Sequence, residues 1–155
     1  MSHDLKQVRQ TVTKRVRFSA AHHYYREEWT VEKNEAVFGL CANQAGHGHN
    51  YCLDVTVSGP LHRDTGMVVN FDSLLPVLEK AVVQPLDHQY LNTQVDFFKT
   101  HIPTLENIAR FIWLQLAKPI ESLAALECKL ESIRVFEHDD LYVEYQGRTH
   151  SVSLP

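Results

Sequence analysis

The residues best suited to chemistry lie in one stretch, Cys41-Ala-Asn-Gln-Ala-Gly46-His47-Gly48-His49-Asn50-Tyr51. His47 and His49 stand two apart, and in extended backbone a period of two turns both imidazoles to one face. Gly46 and Gly48 remove the side chains that would crowd a metal between the rings. One further histidine would complete three protein ligands with an open fourth position, the pattern of catalytic zinc. His22 and His23 are the candidates; His22 shares the parity of Val16, Phe18 and Ala20, so a continuing strand turns it inward and His23 outward. Two blander arrangements use the same residues. An isolated His-Gly-His can be a plain turn, and Cys41 as fourth ligand would close the site into an inert structural zinc centre.

Other groups join this inventory. Cys41, in a loop beside a cationic metal, would have its pKa lowered and its thiolate favoured, although a free cysteine is commonly a small buried hydrophobe. Cys52 and Cys128 have no comparable company and read as packing residues. Asp87-His88 follows the first long helix, but adjacent side chains on extended backbone point apart, and His88 could simply complement a helix C-terminus. Glu106 falls in the first turn of a helix, where a carboxylate is favoured by the dipole. Glu137 ends the inward face of a strand behind Ile133 and Val135, where a carboxylate normally has a partner.

The elements that must position these groups follow from periodicity. Thr11 to Ala21 and Tyr51 to Ser58 alternate apolar and polar residues and read as half-buried strands. The mixed segment from Tyr24 to Gly46 exceeds twenty residues, long enough to suggest function, and can hold a short helix over Val31 to Phe38. Asp72 is the expected cap of a helix carrying Leu74, Leu75, Leu78, Ala81 and Val82 and ending near Pro85. Thr104 is the expected cap of a second, with Leu105, Ile108, Phe111, Ile112 and Leu116 as its buried stripe up to Pro119. Lys129 to Glu137 and Leu141 to Tyr145 are two further strands around Asp139-Asp140. The order ββααββ predicts an α+β domain, a four-stranded antiparallel sheet with two helices on one face. Four strands leave two open edges, which favours oligomerisation.

Composition agrees with a folded chain. The 155 residues include 44% hydrophobic and 22% charged residues with six Gly and six Pro, which excludes disordered and collagenous classes. Residues 1–155 are expected to form a single domain with a short flexible N-terminus over 1–10. A net charge of −4 argues against non-specific nucleic-acid binding. There is no run of about 18 apolar residues, and the start lacks a secretory pattern, so a soluble cytoplasmic protein with reduced cysteines is expected. Ten histidines against fifteen Lys plus Arg is a surplus that a metal site would explain in part.

Taken together, Phe18-Ser-Ala-Ala-His22, Cys41 with five residues before His47-Gly-His49-Asn-Tyr51, Thr65-Gly-Met-Val-Val69, Leu86-Asp-His88, Pro103-Thr-Leu-Glu-Asn107 and Val135-Phe-Glu137 resemble the 6-pyruvoyltetrahydropterin synthase family. The resemblance runs in order from about Val16 to Tyr145. It implies a tunnelling fold (T-fold), a homohexamer of two trimers with shared active sites, and a zinc-dependent lyase acting on 7,8-dihydroneopterin triphosphate. By the same resemblance, His22, His47 and His49 are the Zn2+ ligands and Cys41 the catalytic base. Asp87 and His88 are its relay partners from a neighbouring subunit, and Glu137 is a second carboxylate of the relay. Glu106, with Thr104 beside it in the motif, anchors the pterin. The sequence departs from the family in Cys-Ala-Asn-Gln where animal enzymes resemble Cys-Asn-Asn-Pro, in Glu137-His138 for Glu-Thr, and in an insertion between His22 and Cys41. A related activity, 6-carboxytetrahydropterin synthase of the queuosine route, shares the substrate. Five residues between Cys41 and His47 favour the pyruvoyl type, while Leu91-Asn92 leans the other way. A zinc-containing module that holds pterins without turning them over is the non-enzymatic alternative. Lys14, Arg15, Arg17 and Arg63 are the available cations for a triphosphate.

Overall fold

The computed structural model describes residues 8–123 and 127–147. Two long strands, β1 (Arg9–His22) and β2 (His47–Pro60), form an antiparallel pair. Helix α1 (Val31–Phe38) and a 3-10 turn (Gly39–Ala42) lie between them. Helix α2 (Phe71–Leu78) continues through a π-helical turn (Glu79–Val83) into the short α3 (Gln84–Leu86), next to Pro85 as expected. The cap differs: the Asn70 side chain, not Asp72, accepts the first free N–H, that of Asp72 at 2.9 Å. Asp72 then sits one position inside, where its charge still complements the dipole. Strand β3 (Gln89–Tyr90), α4 (Leu91–Gln94) and a 3-10 turn (Asp96–Lys99) precede α5 (Leu105–Ser122), and β4 (Lys129–His138) and β5 (Leu141–Tyr145) complete the order. Of the expected N-terminal segment, residues 1–7 lie outside the described residues, while Arg9 and Gln10 already belong to β1.

The sheet corrects the expected four-stranded antiparallel arrangement. Among the described residues it has five strands in the order β3-β1-β2-β4-β5 and is mixed, because β3 pairs parallel to β1 at Ala20 and Ala21. A two-residue strand carries no alternation to read, and it forms because tertiary contacts hold it. The Asn92 side chain donates to the His23 carbonyl and accepts from the His23 N–H, while Asp87 accepts from the Ser19 N–H at 2.7 Å. Helix α5 also runs past Pro119 to Ser122. Ile120, fully buried, offsets the hydrogen bond that the proline removes.

The core lies between one sheet face and the helices. Leu53, Val55, Val57, Ile133 and Val135 from the strands meet Leu74, Leu78, Ile108, Ile112 and Leu116, all at 0% exposure. Phe18, Ala20 and His22 continue this inward face along β1. The β1–β2 register sets His22 opposite His47 and Ala20 opposite His49, so three imidazoles gather at one end of the strand pair, on the core side. The register of β4 against β5 shifts between Phe136 and His138, which leaves Glu137 as the extra residue of a bulge, a device that re-aims a side chain.

Candidate active site

Ligating atoms of His22, His47 and His49 all lie within 4.8 Å of one another, with His22 Nε2 and His47 Nε2 3.2 Å apart. His22 is oriented from behind by its other nitrogen, Nδ1, which lies 2.9 Å from the Pro103 carbonyl and 3.2 Å from the Tyr51 hydroxyl. A carbonyl only accepts, so Nδ1 carries the proton and Nε2 presents its lone pair to the site. Burial pushes the His22 pKa down to about 4, and His47 and His49 push in the same direction. Burial likewise lowers that of His49. Neutral imidazoles are the ligating form. His49 Nε2 is buried without a hydrogen bond, although Glu137 Oε1 lies 3.0 Å away. An orphaned buried nitrogen beside two further imidazoles fits a bound cation.

Glycine at 46 has a specific cause. Its φ is +71°, and a Cβ there would come within 2.9 Å of Tyr90 Cε2 and 3.0 Å of the His22 carbonyl. The turn into His47 therefore needs a residue with no side chain. Cys41 sits on the 3-10 turn, its carbonyl accepting from the Tyr24 N–H at 2.8 Å and its Sγ 4.0 Å from His47 Nε2. The chain's own groups raise the thiol pKa, burial first and Glu137 second.

Asp87 and His88 correct the expectation that neighbours point apart. His88 has φ +58°, and this left-handed turn swings its Nδ1 to 2.8 Å from Asp87 Oδ2. The strain is held by the His88 N–H bonding the Ser19 carbonyl at 2.6 Å and by Asp87 bonding Ser19 in return. The His88 side chain is 83% exposed, over a hollow of about 490 Å³ bounded by Ser19, Gly48, Asn50 and Tyr90. No hydrogen bond links His88 to Cys41 among the described residues. Glu106 is exposed in the first turn of α5, two residues after the Thr104 cap, whose Oγ1 accepts from the Asn107 N–H at 3.3 Å. The helix start that presents Glu106 thus also supplies the Pro103 carbonyl that orients His22.

Three groups escape a sequence reading. Tyr51 was legible as core, yet it shares the parity of His47 and His49, which was the available signal. Tyr24 lies in an aperiodic loop, its ring 5.0 Å from that of His22, and its phenol pKa is raised by burial and then by Glu137, Cys41 and Glu106. His138 packs edge-on against His49 at 5.1 Å. Of the four cations offered for a triphosphate, Arg15 is already committed to a two-pronged pair with Asp54 at 2.6 and 2.8 Å.

Comparison with known proteins decides the family. The sequence profile described as 6-pyruvoyl tetrahydropterin synthase matches residues 11–148. The chain belongs to the 6-pyruvoyl tetrahydropterin synthase family. It is 40% identical over 136 residues to the human 6-pyruvoyl tetrahydrobiopterin synthase, covering 88% of this chain and 90% of that one. It is 32% identical over 128 residues to the Haemophilus influenzae 6-carboxy-5,6,7,8-tetrahydropterin synthase, covering 70% and 85%. The solved 6-pyruvoyl tetrahydropterin synthase of Caenorhabditis elegans superposes with a TM-score of 0.84 at 29% identity, covering 92% of this chain and 99% of that one. Family members of both product types are therefore related to this chain, and the α+β fold is the family's. Among the described residues no helix is long and apolar enough to cross a membrane.

Proposed function

We propose that this chain is a zinc-dependent carbon-oxygen lyase that converts 7,8-dihydroneopterin triphosphate to 6-pyruvoyltetrahydropterin with release of triphosphate. The observation that carries the proposal is the convergence of His22, His47 and His49 beside Cys41 in a chain of this family. Zinc held by the three imidazoles supplies Lewis acidity toward the hydroxyls of the substrate side chain. Cys41 takes a proton from the side chain carbon and returns it to the ring. Hydrogen is thereby redistributed within the substrate while triphosphate leaves by elimination, so no external reductant is consumed. His88, held by Asp87, exchanges the Cys41 proton across a subunit boundary, which accounts for its exposure in one chain. Glu106 accepts paired hydrogen bonds from the amino-pyrimidine edge. Glu137 serves as the second carboxylate of the relay. The active form is a homohexamer with shared sites.

Asn92 of the Leu91-Asn92 pair, which leans toward the carboxy product, clamps the His23 backbone. Mass spectrometry of the pterin formed by the zinc-loaded protein tests the reading. A pyruvoyl product with stoichiometric triphosphate is expected; a carboxy product reassigns the pathway, and unchanged substrate makes the chain a binding module. Cys41→Ala should keep zinc and pterin binding and lose at least about 100-fold in turnover. Loss of zinc in that variant would make Cys41 a ligand.

A further inference from the structure

A fourth donor stands beside two of the three imidazoles, and it is not Cys41. Glu137 Oε1 lies 3.0 Å from His49 Nε2 and 3.5 Å from His22 Nε2. In a tetrahedral site with metal–ligand bonds of about 2.0 to 2.1 Å, neighbouring donor atoms are separated by about 3.3 Å. The His22–His47 distance of 3.2 Å and both Glu137 distances bracket that value. Cys41 meets a single ligand, His47, at 4.0 Å, longer than the roughly 3.6 Å that a thiolate edge requires. The side chain of Glu137 is 11% exposed, on the inward face it shares with Ile133 and Val135 and at the extra position of the β4 bulge. The short Glu137–His49 approach is not a hydrogen bond, so it leaves the buried His49 Nε2 unsatisfied.

We infer that Glu137 is a replaceable fourth ligand: its carboxylate closes the metal site while no pterin is bound and gives way when substrate enters. Its oxygen borders the His22–His49 edge, where a fourth donor would join the three imidazoles. The inference rests on the three-histidine metal site proposed above and adds a resting state to it. A carboxylate released from the metal is then free to hydrogen-bond the incoming side-chain hydroxyls, while Cys41 stays uncoordinated throughout.

The test is the structure of the zinc-loaded protein solved without and with a pterin, paired with metal retention. Without pterin the expected zinc–Oε1 distance is about 2.0 to 2.2 Å, lengthening beyond bonding once pterin is bound. Glu137→Gln and Glu137→Ala should keep stoichiometric zinc on the three histidines but release it to a chelator at least about tenfold faster than the parent chain. They should also shift the visible spectrum of the cobalt-substituted protein. Zinc on three histidines with water as fourth ligand, Glu137 remote from it and the cobalt spectrum unmoved, would overturn this inference alone. Failure of the parent chain to bind zinc would overturn the metal site itself.

Discussion

His22 shows how much one residue can depend on surroundings that its own position does not reveal. Its strand parity turns it inward, but the proton on Nδ1, and hence the lone pair on Nε2, is set by a carbonyl 81 residues away. Gly46 is the complementary case, a residue selected for what it lacks. Gly46→Ala is expected to cost about 1 to 3 kcal/mol and to lower metal occupancy, read from the urea midpoint and zinc stoichiometry. Asp87 gives a prediction in pH. The Ser19 N–H first, and His88 after it, hold its carboxyl below the ordinary carboxylate range. A lowered folded value contributes stability above the unfolded pKa of about 3.9 that is lost as pH falls through the folded value. Asp87→Asn keeps an acceptor for Ser19 without the charge. The gap between its denaturation midpoint and that of the parent should therefore be largest near neutral pH and shrink below about pH 4.

At the scale of elements, the site is a junction of strand ends and one helix start. The β1–β2 register supplies the three imidazoles, the β4 bulge supplies Glu137, and the turn before α5 supplies both the carbonyl behind His22 and the carboxylate of Glu106. Thr104 fixes that turn by capping α5. Thr104→Ala should lower stability by about 1 kcal/mol and weaken metal retention, and Thr104→Ser should restore both. Loss of pterin affinity with stability unchanged would instead give Thr104 a direct role at the substrate. Strand β3 and the Asn92 clamp do similar work for Asp87 and His88, tying the proposed relay pair to the β1 end that carries His22.

At the scale of the molecule, the proposed relay needs a second chain. Among the described residues, strand β3 covers β1 only at Ala20 and Ala21 and the outer edge of β5 has no neighbour in the sheet order; Leu40, beside Cys41, is 94% exposed. Open strand edges and a bare leucine next to Cys41 suit a partner surface. Sedimentation is expected to give a particle of six 17.9 kDa chains, with specific activity falling on dilution as smaller species appear. A fully active monomer would contradict the shared site.

The strands, the two main helices, the three imidazoles and Cys41 were legible in the sequence because each rests on local periodicity, capping or spacing. The family resemblance then assigned roles that periodicity alone left open. Tertiary structure decided the remainder. The fifth strand is too short to carry a pattern, and α5 outlasts Pro119 because Ile120 is buried at a distance from its own turn. Asp87 and His88 meet because a left-handed residue is held in place by β1. The tautomer of His22 and the approach of Glu137 to His22 and His49 are likewise set by groups far away in the chain, which a local reading cannot bring together.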